Sequence, residues 1–157
     1  VNDIHPNTKL VPELKLEWVD KEEIYRHADV ISLHVPLTAH TKNMIRAEHL
    51  SLMKPDALLI NTARGGIINE QDLANALNAG HLAGAAIDAF EHEPYTGPLA
   101  AIDRCLLTSH MGSMSIDCRT RMEIEATEEA VRFLTNQPLK GLVPSEEYDV
   151  QRLGLGS

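Results

Sequence analysis

The chain has 157 residues, 43% of them hydrophobic and only 4% aromatic, and its formal net charge is −9 at pH 7. This is the length of one domain with a core of its own, and the acidic balance argues against a nucleic-acid partner, because such binding neutralises phosphates with Lys and Arg. No run of about 18 apolar residues predicts a membrane span, and no charged stretch followed by an apolar run predicts a secretory signal.

The first seven residues, VNDIHPN, resemble the end of a strand and the turn after it. Asp20 and Glu23 then resemble a capping box that begins a short helix. Residues 30–35 (VISLHV) form a continuous, mostly apolar run, which predicts a strand covered on both faces, and Pro36 ends it. Because the chain starts inside a strand, we expect either that its N-terminus was removed or that it is part of a longer protein.

Further strands and helices alternate along the middle of the chain. A short helix is predicted over 47–53 and a strand over 57–61. Asn69 begins an amphipathic helix that ends at Gly80. The apolar segment 82–90 contains the next strand. This alternation is typical of βα units around a parallel sheet, so the predicted fold class is α/β.

The last predicted strand covers 105–108, and Ser115 begins a long helix that ends near Leu134. That helix carries an acidic face expected to be solvated, formed by Glu123, Glu125, Glu128 and Glu129. The segment 137–157 is predicted to be an extended tail.

The two cysteines have no spacing typical of metal ligands. Cys105 falls in a predicted strand and Cys118 in a predicted helix. We therefore expect both to be reduced and structural, with no metal bound and the protein in the cytoplasm.

Three segments in fixed order end a predicted strand and then present one reactive side chain: Arg64 in NTARGG, Glu93 in GAAIDAFEHEP and His110 in LTSHMGS. Ligands of α/β sheets bind beyond the carboxyl ends of the strands, so these three side chains are expected in one cleft. A guanidinium binds a carboxylate with two parallel hydrogen bonds. An imidazole exchanges protons near neutral pH, and a neighbouring carboxylate fixes its tautomer. Together they suit redox chemistry of hydroxy acids.

Each of these residues also has a simpler interpretation. The simpler interpretation of Arg64 is a surface residue in a tight turn. His110 is one of eight histidines, so the count alone favours a structural or solvated role for any one of them. Glu91 and His92 compete with Glu93 for the same roles. Asp3 ends the first partial strand, where dinucleotide-binding folds place an acidic residue on the ribose, but the glycine fingerprint would precede residue 1. Without those glycines, the residues alone favour a turn residue as the interpretation of Asp3.

Four blocks, ADVISLHVPLTAHTKNMI, LMKPDALLINTARGGIINEQDLANAL, GHLAGAAIDAFEHEP and LLTSHMGS, resemble the NAD-dependent D-isomer-specific 2-hydroxyacid dehydrogenases in order and spacing. This family includes phosphoglycerate, glyoxylate/hydroxypyruvate and D-lactate dehydrogenases. The resemblance runs from about residue 1 to 140. It implies a partial Rossmann-type, doubly wound parallel sheet without its first strand and glycine loop. On this basis, 1–136 would be the partial NAD-binding domain and 137–157 a tail returning towards a substrate domain.

By that likeness, Arg64 would bind the substrate carboxylate and carbonyl, His110 would be the general acid/base, and Glu93 would be its partner. Asp88 would contact the nicotinamide carboxamide and Asp3 the adenosine ribose, which favours NAD over NADP. The other residues implied at the cofactor are His34, Val35, Pro36, Thr41, Thr62, Ala63 and Gly112, with Arg64 and His110 also bordering it. The family usually has Pro before and Ile after this histidine, where the chain has Ser109 and Met111.

The resemblance implies an oxidoreductase that transfers a hydride between NAD(H) and a D-2-hydroxy acid or 2-keto acid, of the phosphoglycerate or hydroxypyruvate/glyoxylate type. Formate dehydrogenases are disfavoured, since their pattern has Gln in place of Glu93. A homodimer is expected for the full-length protein, with no nucleic acid or membrane partner. The 157 residues alone are expected to be inactive and to bind NADH weakly, because the glycine turn that holds the pyrophosphate is absent. The alternative is a dinucleotide-sensing scaffold or corepressor of the same fold.

Overall fold

The computed structural model describes residues 1–4, 6 and 9–142. Four parallel strands form one sheet in the order β1-β2-β3-β4. Each predicted strand from 30 onward is present but shorter than expected, and the parallel α/β prediction is confirmed. The strands are β1 (Val30–Leu33), β2 (Leu58–Asn61), β3 (Gly84–Ile87) and β4 (Cys105–Leu107).

The register of the strands aligns their carboxyl ends. Leu33 pairs with Asn61, Asn61 with Ile87, and Ile87 with Leu107, and each of these is the last residue of its strand. The four loops that follow therefore leave the sheet at one level. This alignment brings residues far apart in the sequence to one edge of the sheet.

The predicted helices are present, and side-chain caps begin three of them. Asp20, Asn69 and Ser115 each accept a hydrogen bond from the backbone N–H three residues later. Two short elements, the helix α1 (Leu10–Leu14) and a 3-10 helix (Pro98–Ala101), were not predicted, because segments of four or five residues are too short to show helical periodicity. The α-helices are α1 (Leu10–Leu14), α2 (Lys21–His27), α3 (Ala47–Leu50), α4 (Glu70–Asn78) and α5 (Ile116–Leu134).

The helix predicted over 47–53 is only partly helical. It ends at Leu50, because the N–H groups of Leu52 and Met53 bond to the carbonyls of His49 and Leu50, three residues back, in tighter turns. The first residues also differ from expectation, since 1–4 contain no strand.

Among the described residues the sheet is covered on one face only, which corrects the prediction that β1 is buried on both. Ile31, Leu59 and Ile87 lie in the hydrophobic core together with buried residues of α2, α3 and α4. On the other face Val30 is 53% exposed and Leu106 is 66% exposed. The long helix α5 does not cover this face among the described residues, since none of its own residues is buried.

The C-terminal part of the described chain tests the prediction for the acidic face of α5 and reaches only the start of the predicted tail. Glu129 was expected on a solvated face, but it is only partly exposed and its carboxylate accepts hydrogen bonds from the N–H groups of Lys140 and Gly141 at 2.9 and 3.3 Å. Most of the predicted tail, from 143 onward, lies outside the described residues, so the boundary at 136 stays a prediction. No helix in the described part of the chain has the length and hydropathy needed to cross a bilayer.

Both cysteines are free, as predicted. Cys105 is buried in β4, and this burial raises the pKa of its thiol to about 11. A thiol that stays protonated in the core is unreactive, so a packing role for Cys105 accounts for its position.

Candidate active site

Arg64, Glu93 and His110 line one cleft of about 770 Å³ at the carboxyl edge of the sheet. Each lies in the loop after a different strand, so the aligned strand ends bring them together. Sequence reasoning predicted this meeting of three loops. Other residues on the cleft wall include Leu37, Lys42, Glu91 and His92.

The imidazole of His110 is paired with the carboxylate of Glu93. Nδ1 of His110 lies 3.1 and 3.2 Å from the two carboxylate oxygens, and the side chains are 46% and 40% exposed. The backbone N–H of Phe90 also donates to Glu93 at 3.1 Å, and these two contacts, the Phe90 one foremost, lower the pKa of Glu93. Because Nδ1 is engaged, Nε2 is the ring nitrogen left to exchange a proton with a ligand. Of the three acidic or basic candidates in EHEP, it is Glu93 that contacts His110.

The loop that carries Arg64 is held by Asn61, the last residue of β2. Asn61 is 2% exposed; its amide donates to the carbonyl of Arg64 at 2.8 Å and its oxygen accepts from the N–H of Ala63 at 3.1 Å. Sequence reasoning missed this residue. The available signal was a polar side chain at an inward-facing position of an apolar strand, which requires a buried partner.

The guanidinium of Arg64 is exposed and faces the cleft. One of its N–H groups donates to the carbonyl of Ala63 at 2.7 Å. It forms no ion pair with any residue in the described ranges. A cation without a carboxylate partner beside an imidazole is suited to bind an anionic ligand.

Gly65 lets the Arg64 loop approach the loop after β3. A Cβ atom at Gly65 would lie 1.9 Å from the carbonyl carbon of Phe90 and 2.4 Å from the backbone N of Glu91. Only glycine permits this contact between two backbones. The neighbouring Gly66 has a φ of 76°, which also favours glycine.

Asp88 is a buried carboxylate beneath the His110 loop, with only 6% of its surface exposed. It accepts hydrogen bonds from the hydroxyl of Thr108 at 2.5 Å and from the N–H groups of Met111 and Gly112 at 2.8 and 3.3 Å. These bonds lower the pKa of Asp88, with the largest effect from Thr108 and the next from Met111. Burial acts in the opposite direction and raises the pKa, but by less. Asp88 is therefore ionised at neutral pH.

The lowered pKa of Asp88 predicts an acid-dependent loss of stability. The contribution of ionised Asp88 to the free energy of unfolding is complete above the ordinary pKa of 3.8. It is lost as the pH falls through the lower pKa that Asp88 has in the folded protein. We expect the urea midpoint of the wild type to exceed that of Asp88→Asn by a constant amount from pH 7 to 5, and this difference to shrink as the pH falls below 4. A difference that is the same at pH 3 and pH 7 would contradict the assignment.

A second cleft, of about 440 Å³, adjoins the first. Its walls share Leu37 and Arg64 with the first cleft. Five residues predicted at the cofactor line it: His34, Val35, Pro36, Ala63 and Arg64. Apolar side chains share this wall with the polar side chains of His34 and Arg64, and the cleft lies beyond the ends of β1 and β2.

Five other residues predicted at the cofactor, the buried Asp88 among them, lie outside the lining of both clefts. The hydroxyl of Thr41 donates to the carbonyl of Pro36 at 2.6 Å and so stabilises its own loop. Thr62 is exposed, and Gly112 donates its backbone N–H to Asp88. Asp3 is exposed in the N-terminal segment, where Val1 accepts a hydrogen bond from the N–H of Val19 at 3.0 Å. Their cofactor roles stay predictions.

Comparison with known proteins agrees with this geometry. The sequence profile of the D-isomer specific 2-hydroxyacid dehydrogenase NAD-binding domain matches residues 1–112. Glyoxylate reductase of Thermofilum pendens is 38% identical over 140 residues, which cover 88% of this chain and 41% of that protein. D-3-phosphoglycerate dehydrogenase of Escherichia coli K12 is 40% identical over 120 residues, 73% of this chain and 29% of that one. D-lactate dehydrogenase with NAD⁺ from Lactobacillus jensenii superposes with a TM-score of 0.81 at 26% identity, over 91% of this chain and 47% of that one.

The chain thus spans less than half the length of these relatives. The match nevertheless includes all four strands and the three loops that meet at the cleft. The predicted Rossmann-type fold and NAD as the cofactor of the domain are confirmed. The chain belongs to the D-isomer specific 2-hydroxyacid dehydrogenase family, in the part that forms the NAD-binding domain.

Proposed function

We propose that the full-length protein is an oxidoreductase acting on a D-2-hydroxy acid and the corresponding 2-keto acid, with Arg64, Glu93 and His110 as its catalytic residues. The observation that supports this proposal is the cleft that Arg64, whose guanidinium has no ion pair among the described residues, lines together with the His110–Glu93 pair. A 2-keto acid carries a carboxylate next to a carbonyl, and these are the groups that such a cleft can bind and protonate. When bound, NAD(H) supplies or accepts the hydride.

The second cleft fits the cofactor. Val35, Pro36 and Ala63 offer an apolar wall for a flat ring, and the cleft opens beside Arg64, which borders the substrate side. The cofactor would lie along this wall, at the carboxyl ends of β1 and β2, where α/β sheets bind nucleotides. His34 also borders this cleft; its Nε2 lies 2.8 Å from the hydroxyl of Ser32, which orients its ring.

In the proposed mechanism, Arg64 binds the substrate carboxylate and so directs the adjacent carbon towards the cofactor side of the cleft. Nε2 of His110 gives a proton to the carbonyl oxygen in reduction and takes it from the hydroxyl in oxidation. Glu93 holds the ring through Nδ1 and stabilises the imidazolium that carries the proton. Alignment of the reacting groups by these side chains supplies a large part of the catalysis.

We propose a substrate of the glyoxylate/hydroxypyruvate or phosphoglycerate type, since relatives bear the names glyoxylate reductase and D-3-phosphoglycerate dehydrogenase. The test is the oxidation of NADH by the full-length protein with a panel of 2-keto acids. Steady turnover with at least one member supports the proposal. Tight NADH binding without turnover of any member would instead indicate a dinucleotide sensor, the alternative noted from the sequence.

Arg64→Leu is expected to raise the KM for the 2-keto acid about 100-fold, because loss of a charge-assisted hydrogen-bonding pair costs about 3 kcal/mol. The dissociation constant of NADH should change less than threefold. Arg64→Lys keeps the charge without the planar fork and should give an intermediate KM. Equal KM values for the wild type and Arg64→Leu would remove Arg64 from the substrate site.

We also propose a homodimer in the cytoplasm for the full-length protein, with residues 1–136 as the NAD-binding part and 137–157 as a tail. The exposed apolar residues of α5 support an interface: Ile116 is 84% exposed and Phe133 is 71% exposed. The two free cysteines support a reducing compartment. Sedimentation equilibrium of the full-length protein tests the dimer.

A further inference from the structure

We propose that Asp88 and Thr108 are positioning residues that hold His110 in the backbone conformation from which its ring reaches both Glu93 and the cleft. This role is distinct from the contact with the nicotinamide that the family resemblance implies for Asp88. Any effect of Asp88 or Thr108 on turnover is interpreted on the basis of the proposed function, whereas the hydrogen bonds around His110 are observed independently of it.

His110 has a backbone conformation that residues with side chains rarely adopt. Its φ is 53°, in the left-handed region that favours glycine. Such conformations persist only where surrounding contacts impose them, and they concentrate at active sites. The contacts that impose this one should therefore be visible around residues 108–112.

Those contacts converge on Asp88. Its carboxylate accepts hydrogen bonds from Thr108 before His110, and from Met111 and Gly112 after it. Its main-chain carbonyl accepts the N–H of His110 itself, at 2.8 Å. One buried residue thus binds the turn before, at and after His110, which fixes the direction in which the turn runs.

Asp88 also connects this turn to the rest of the site. Its main-chain N–H donates to the carbonyl of Asn61 at 2.9 Å, and Asn61 holds the Arg64 loop. Glu93 lies in the same loop after β3, five positions later. Two carboxylates of this loop therefore have separate tasks: Glu93 contacts the imidazole ring and Asp88 binds the backbone.

The chemistry of the carboxylate explains why this position needs Asp. An ionised carboxylate only accepts hydrogen bonds, so it can face a hydroxyl and two backbone N–H groups at once. In Asp88→Asn the amide NH₂ would face at least one of these donors. The N–H of Met111 or Gly112 would then lose its acceptor, and the left-handed turn would lose the bonds that oppose its relaxation.

The test compares Asp88→Asn, Thr108→Val and Thr108→Ser in the full-length protein. Valine matches threonine in shape but lacks the hydroxyl, whereas serine keeps it. We expect kcat to fall about 100-fold in Asp88→Asn, as for other small misplacements of a catalytic group. Thr108→Val should lower kcat about tenfold, and Thr108→Ser should restore most of it. The dissociation constant of NADH should change less than threefold in all three.

Amide hydrogen exchange at Met111 and Gly112 gives a readout independent of turnover. Exchange should accelerate at least tenfold in Asp88→Asn, and in Thr108→Val to a smaller extent, while the strands keep their protection. Unchanged exchange in Asp88→Asn, or a loss of NADH affinity with no effect of Thr108→Val, would overturn the positioning role. If the wild type reduces no 2-keto acid, the proposed function fails, and the exchange data alone decide the role of Asp88.

Discussion

Replacing His110 by alanine is expected to lower the rate at which the full-length protein oxidises NADH with a 2-keto acid by about 10²–10⁴-fold, the range for removal of a positioned acid/base. Of the two imidazoles that line the cleft, that of His110 is the one paired with a carboxylate, and imidazole can both give and take a proton in catalysis. Its Nδ1 contacts Glu93, which leaves Nε2 as the nitrogen that would exchange the proton with the substrate in the proposed mechanism. The measurement is kcat under saturating NADH and keto acid, together with the dissociation constant of NADH, which should change little.

The chain offers a matched control for this variant. His27 lies on α2 and pairs with Glu23 at 3.6 Å, so it is also a His–Glu pair, but its side chain is 69% exposed and it does not line the cleft. His27→Ala should leave kcat within a factor of two. Wild-type turnover in His110→Ala would show that another residue moves the proton, and His92, on the wall of the same cleft, would be the next candidate.

The fold could be predicted where local chemistry determined it. The apolar runs of β1 and β2 and the side-chain caps Asn69 and Ser115 are signals within a few residues, and each was found in the expected place. The open face of the sheet could not be predicted, because Val30 and Leu58 are as apolar as the residues on the covered face. Which face a helix covers depends on contacts between distant elements.

In the candidate site, too, some features could be predicted from local sequence signals and others depend on contacts that such signals do not show. Arg64, Glu93 and His110 could be expected in one cleft because each follows a strand, and parallel strands end at one edge. The roles of Asn61 and Asp88 as supports of the loops could not be predicted from spacing. The Asn61 side chain bonds backbone groups of the loop that follows its own strand, and the Asp88 side chain bonds backbone N–H groups of the loop after β4; backbone groups carry no sequence signature that would identify these partners.

Gly65→Ala is expected to damage the site as severely as the loss of a catalytic group, although Gly65 has no side chain. A Cβ atom there would overlap the carbonyl group of Phe90, at 1.9 and 2.0 Å from its carbon and oxygen. These are backbone atoms, so a rotamer change cannot relieve the overlap. The Arg64 loop must therefore move away from the loop that carries Glu93, and Arg64 moves away from His110.

We expect kcat/KM for the 2-keto acid to fall at least about 100-fold in Gly65→Ala, since displacement of a binding group by about 1 Å has effects of this size. The free energy of unfolding should fall by about 1–3 kcal/mol, as for other overpacked sites. Gly141→Ala is the matched control, because no atom of the described residues, apart from its two chain neighbours, lies within 4 Å of its added Cβ. Chemical denaturation and steady-state kinetics of both variants test this. If Gly65→Ala retained wild-type kcat/KM, the two loops would not need their close contact, and the cleft would tolerate a separation that the proposed mechanism does not allow.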